Sequence, residues 1–217
     1  MVARFLTARQ PRRGGNLFGA TLVAGLLAAL AAAPAVPAAD PAAAGGGTPE
    51  WLLVPEARFM GHDIAWPIGG SVRTVLVPER RGSPLTLADT RDPHLALADL
   101  RRLARDNAGR LFDTLEPELA RDARGVILYA VLSSPDPSLP ACVLAPGFAD
   151  RFFETIGPDL QIAIPNRNRI YIFPRSAVPA AELSDRVFVD YRASDYPVSR
   201  EIFELSGDGL RAVGEFR

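Results

Sequence analysis

The sequence predicts an α+β fold in which an antiparallel or mixed sheet, built from hairpins, carries helices packed on it as a single domain. Three observations predict this. Short runs rich in Val, Ile and aromatic residues come in pairs around turns marked by Asn, Gly or Pro. Between them lie segments whose apolar residues recur at helical spacing. After a leader and linker about 168 residues remain, the usual size of one domain with one core. A doubly wound parallel sheet would alternate single strands with helices instead. No internal repeat is read.

The first segment, residues 1–38, has the layout of an export signal. Arg4, Arg9, Arg12 and Arg13 precede the apolar run LFGATLVAGLLAALAAA, and Val36 and Ala38 mark a cleavage point. Cleavage after Ala35 fits nearly as well. An uncleaved membrane anchor is the alternative, disfavoured because the run is largely Ala and Gly and ends at Pro34 and Pro37. Lipidation is excluded, since the only cysteine is Cys142. Behind Arg12-Arg13, Gly14-Gly15-Asn16 lacks the twin-arginine pattern, which favours general secretion. Residues 39–49 are small and nearly uncharged, a flexible linker. The expected product is periplasmic or secreted, touching a membrane only through an uncleaved signal.

The domain is expected over 50–217. Trp51 to Pro55 and Ser71 to Pro78 read as strands. Asp92 and Pro93 open a helix whose stripe runs Leu97, Leu100, Ala104, Leu111 and Phe112 towards Pro117, with Gly109 as a breaker. Gly125 to Ser134 is a buried strand, and Ala141 to Leu144 its shorter hairpin partner. Phe148, Phe152 and Ile156 lie on one helical face, which Gly157 closes. Leu160 to Pro165 and Ile170 to Pro174 form a hairpin around Asn166-Arg167-Asn168-Arg169, where Asn tolerates left-handed conformations. A helix with Leu183, Val187, Phe188 and Tyr191 follows, then a hairpin of Glu201 to Leu205 and Leu210 to Gly214.

Composition excludes several chemistries. All 24 basic residues are Arg, so no Schiff-base, phosphate-loop or serine-paired lysine exists. Past residue 38, 20 arginines face 25 acids, a net charge near −5 that argues against nucleic acid. One cysteine closes no internal disulfide. The residues imply no cofactor and no metal site: His62 and His94 stand far apart, and only a chance cluster with Asp63 and Asp92 would hold an ion. Asp113, Glu116, Glu118 and Asp122 alternate with other residues as an exposed helix face would.

The stretch IAIPNRNRIYIFP, behind a helix ending in Ile-Gly and ahead of YPVSREIFELSGDGL, resembles a bacterial family catalogued as domain of unknown function fourteen-forty-four. The resemblance spans roughly Ala104 to Val213 and centres on the Pro-Asn-Arg turn and Tyr196-Pro197-Val198-Ser199. It implies an α+β domain without an assigned activity. The family turn usually reads Pro-Asn-Arg-Asp; here Asn168 takes the place of the acid. Its members are mostly not exported, so the leader departs from the family in location.

Asn166, Arg167, Asn168 and Arg169, with Arg175 nearby, are the candidate ligand-binding residues, offering donors to a carboxylate or phosphate. A plain solvated turn, or an Arg167 folded back onto a carboxylate, would be structural instead. The sequence therefore favours a non-catalytic binding domain of the cell envelope, its partner a ligand or protein and an anion among the options. The rival is a small periplasmic hydrolase in which His62 beside Asp63, or His94 beside Asp92, activates Ser71, Ser133, Ser134 or Cys142. No nucleophile elbow supports that rival.

Overall fold

The computed structural model describes residues 50–91, 97–176, 181–206 and 209–217. The leader and linker, the expected helix start at Asp92 and Pro93, and the candidate His94 lie outside the described residues. Within them the fold is α+β with helices packed on antiparallel sheets.

Strands β1 (Trp51–Ala57), β2 (Trp66–Pro67), β3 (Thr74–Arg80) and β4 (Ser83–Pro84) make the first sheet, ordered β1-β3-β2 with β4 also on β3. The second holds β5 (Glu118–Arg121), β6 (Ile127–Ser133), β7 (Leu160–Asn166), β8 (Arg169–Pro174), β9 (Glu201–Ser206) and β10 (Gly209–Glu215), ordered β10-β9-β7-β8-β6-β5. Helices α1 (Leu97–Phe112), α2 (Phe148–Ile156) and α3 (Ala181–Ala193) cover them. None is long and apolar enough to cross a membrane.

The period-two pattern of the second sheet explains why both its faces are buried. Ile162, Ile164, Ile170, Ile172, Ala130 and Leu132 join the main core with α2, Phe112 and Leu52 and Val54 of β1. The alternating residues Ala163, Tyr171, Phe173 and Tyr129 face the other way, onto Leu183 and Val187 of α3. In the main core Phe112, Phe148 and Phe152 form a ring cluster with centroids 5.0–6.2 Å apart. Gly157, at φ 109°, ends α2 by donating its N–H to Phe152 and Phe153, as its position after Ile156 suggests.

Some expectations need correction. Ala141 to Leu144 is not a strand: Leu139–Leu144 is a buried 3-10 segment packed against α1. An apolar tetrapeptide cannot declare its backbone state. The partners of β6 are β5 and β8 instead. Glu118–Arg121, read as an exposed helix face, is the edge strand β5, whose exposed pattern hid it. Gly109 does not break α1, which continues through it to Phe112. The β7–β8 turn uses no left-handed Asn, Arg81 being the only non-glycine with positive φ among the described residues. A register shift between Ala163 and Asn166, and an Asn168 N–H donated to Asn166 Oδ1, close it instead.

Candidate functional site

Of the four candidate turn residues, Asn166, Asn168 and Arg169 line one recess while Arg167 turns away from it. Asn166 is buried and gives its side-chain amide to the Asp190 carbonyl at 3.0 Å. Asn168 donates to the Ser134 carbonyl at 2.8 Å, tying the turn to the end of β6. Arg169 is about half-exposed and pairs with Asp190 at 3.2 Å, and Asp190 also accepts from Tyr171 Oη at 2.5 Å. Burial and the Asp190 carboxylate together push the Tyr171 hydroxyl pKa upward. Arg167 points the opposite way, into the protein, with its side chain only 12 % exposed. There Nε donates to Glu56 and Nη2 to Glu79, the fold-back geometry.

Those two glutamates come from one tetrapeptide used twice. Leu53-Val54-Pro55-Glu56 on β1 and Leu76-Val77-Pro78-Glu79 on β3 are identical. The antiparallel register pairs Val54 with Val77, so each glutamate lies two residues beyond that pair in opposite directions. The local two-fold thus places one carboxylate on each side, and the planar fork of Arg167 engages both. His62 completes the group with Nε2 3.9 Å from Glu56 Oε2. Neither His62 Nε2 nor Glu79 Oε2 has a hydrogen-bond partner among the described residues. Burial raises the Glu56 pKa, opposed in part by Arg167; for Arg167 the two carboxylates outweigh burial and raise its pKa.

A second buried carboxylate is built differently. Glu201, at the start of β9, accepts hydroxyls from Ser71 (2.7 Å), Thr74 (2.7 Å) and Ser199 (3.2 Å) and the N–H groups of Val72 and Arg73. Burial alone would raise its pKa, but these hydrogen bonds lower it. Gly70 makes the approach possible: at φ 74° it lies so close to β10 that a Cβ there would meet the Ala212 carbonyl oxygen at 2.5 Å. Both motifs of the family resemblance meet beside these centres. Arg167 N–H donates to Tyr196, Val198 N–H to Pro165, and Ser199 N–H to Ile164.

The proposed nucleophiles and bases are dispersed. His62 faces Glu56, while the neighbouring Asp63 accepts from Leu87 N–H at 3.4 Å. Ser71 is held by Glu201, and Cys142 is fully buried, its thiol pushed up to about 12 by burial. Ser133 and Ser134 line a recess of about 440 Å³ with Asn166, Asn168, Arg169 and Asp190, and no histidine lines it. No group of three or more His, Cys, Asp or Glu is placed to hold a metal among the described residues.

A larger concavity than this recess lies elsewhere. A cleft of about 740 Å³ opens between α1, the first sheet and the start of α2. Leu53, Leu76, Val143 and Leu144 floor it, and Trp66 forms one wall. Arg101, Arg102 and Arg105, at neighbouring positions on one helical face, rim it together with Asp106 and Asp150. Arg101 lies over the Trp66 ring at 4.9 Å, and Arg102 stands 3.9 Å from Asp99 and Asp106. Arg105 has no ion pair among the described residues. Sequence reasoning missed this site because its arginines read as an ordinary solvated helix face; Trp66 was the available signal. No family model, curated protein or solved structure matches the chain.

Proposed function

We propose that the chain is an exported, non-catalytic binding domain of the cell envelope whose ligand is a small anion with an apolar body, seated in the cleft beside α1. One observation carries this: an apolar floor and an indole wall under a rim of three arginines, in about 740 Å³. That volume suits a small-molecule site, roughly 300–1,000 Å³. The floor would gain roughly 25 cal/mol per Å² of apolar surface removed from water. A carboxylate or phosphate would reach Arg105, whose guanidinium has no carboxylate of its own among the described residues, and the bidentate geometry of Arg suits either. The likeness to an uncharacterised family brings no activity with it.

Calorimetric titration with decanoate and with decanol tests the reading. Decanoate should bind at least tenfold more tightly than decanol, and Arg105→Glu should weaken it about tenfold, some 1.4 kcal/mol. Undiminished decanoate binding by Arg105→Glu would remove the cleft from the account. A second reading keeps the hairpin tip, favoured by the polar recess that Asn166, Asn168 and Arg169 line with Ser133, Ser134 and Ser194. It predicts a polar ligand lost on Arg169→Ala and indifferent to Arg105→Glu.

A further inference from the structure

We propose that the end of the first sheet carries a docking surface for an anionic bilayer, formed by the 3-10 turn after β1 and the loop before β3. Phe59 is 68 % exposed, Met60 53 % and Val72 76 %, three large apolar side chains at the tips of two adjacent loops. The loops are tied together where Arg58 N–H donates to the Arg73 carbonyl at 2.7 Å, and Phe59 and Val72 border one recess of about 290 Å³. They share no lining residue with the arginine cleft, so this surface is separate from the proposed ligand site.

The charges around these side chains choose the partner. Arg58, Arg73 and Arg200 border the same recess. Arg73 and Arg200 both pair with one carboxylate, Glu215, at 3.3 and 2.7 Å, and Arg58 has no ion pair among the described residues. Arg200 stacks on Phe188 at 4.6 Å, and Arg192 lies over that ring too at 4.9 Å. The three guanidinium groups of the recess thus outnumber Glu215, the carboxylate that two of them share, a cationic region on a domain whose overall charge is negative. Apolar tips ringed by arginines match an interface of acyl chains beneath anionic headgroups: the side chains enter the hydrocarbon boundary while the guanidinium groups stay at phosphate level. A dissolved protein partner needs no such layering of apolar tip and cationic collar.

A tryptophan placed at the tip, taken as the difference from the unsubstituted chain with its native Trp51 and Trp66, reads this and is insensitive to insertion of the leader. In the full chain, Phe59→Trp should blue-shift and be quenched by doxyl-labelled lipid on adding phosphatidylglycerol vesicles at low salt. The response should fall severalfold with neutral phosphatidylcholine vesicles, in high salt, and when Arg58→Glu is added. Val126→Trp, at an exposed apolar position on a different loop, should stay unshifted. Absence of a shift at position 59, an equal shift with neutral vesicles, or an equal shift at position 126 would each overturn the proposal. A shift produced by a second copy of the chain without vesicles would mark the patch as a protein interface and overturn it too.

Discussion

Two buried ionic centres sit where the first sheet meets the second, and they solve the same problem in opposite ways. At Glu201 one carboxylate is surrounded by five neutral donors, three hydroxyls and two backbone N–H groups, so it is stable as an ion and its pKa falls. At Arg167 two carboxylates share one guanidinium, two polar atoms find no partner among the described residues, and the Glu56 pKa rises. The difference teaches that a cation is not what makes burial of a carboxylate tolerable. The number of donors aimed at its oxygens decides, because a lone pair left unmet in low dielectric costs the full desolvation of that atom.

The largest expected effect breaks the Arg167 centre. Arg167→Ala leaves Glu56 and Glu79 facing each other without a cation and should cost about 3–5 kcal/mol in a urea unfolding series. Arg167→Lys should recover little, since an ammonium cannot span two carboxylates as the fork does. A loss under about 1 kcal/mol for Arg167→Ala would mean the trio is not a clamp. Next comes Glu201→Ala, which strands buried donors and should cost about 2–3 kcal/mol, with Glu201→Gln milder because an amide oxygen still accepts.

Gly70→Ala sharpens the comparison at about 1–2 kcal/mol, through the positive φ and the Ala212 carbonyl. Because Gly70 precedes Ser71, its effect should be non-additive with Glu201→Gln in a double-mutant cycle and additive with Glu56→Gln. The smallest effect on stability at neutral pH is that of Glu56→Gln, within about 1 kcal/mol, since Glu79 alone balances Arg167. Its signature is pH dependence instead. Between the ordinary value of 4.5 and its raised folded pKa, the native Glu56 holds a proton that the unfolded chain has released, so its contribution to stability falls as pH rises through that window. Burial sets this rise, Arg167 and His62 oppose it, and Glu79 adds to it. Glu201 has the opposite sign: its contribution is complete above 4.5 and is lost as pH falls through its lowered folded pKa. Urea midpoints across pH for wild type, Glu56→Gln and Glu201→Gln would separate the two slopes.

What was readable in the chain follows from how local each signal is. Ile162 to Ile172 and Phe148 to Gly157 declare themselves, because alternation, helical spacing and a closing glycine act within a few residues. Leu139–Leu144 and Glu118–Arg121 do not. The first is apolar without a period, and the second pairs with β6 through contacts its own composition does not announce. The turn at 166–169 was located correctly, yet the destination of Arg167 depends on residues 111 and 88 positions away. The repeated Leu-Val-Pro-Glu was the one sequence trace of that pairing. An acid following a proline in an apolar strand looks like a strand end until the second copy is noticed. The arginine rim was equally hidden, since exposed arginines on α1 become a site only when Trp66 arrives from another element.

The central claim is that the hairpin-tip arginine is consumed in holding the sheets together while the arginines of α1 face the ligand. Hydrogen exchange at arginine Nε–Hε groups, followed by nitrogen-edited NMR during a decanoate titration, tests it most directly. The expected result is a slowly exchanging Arg167 signal that decanoate leaves in place, and a fast-exchanging Arg105 signal that moves as the cleft fills. An Arg167 that exchanges like a surface residue and shifts with ligand, beside an indifferent Arg105, would contradict it.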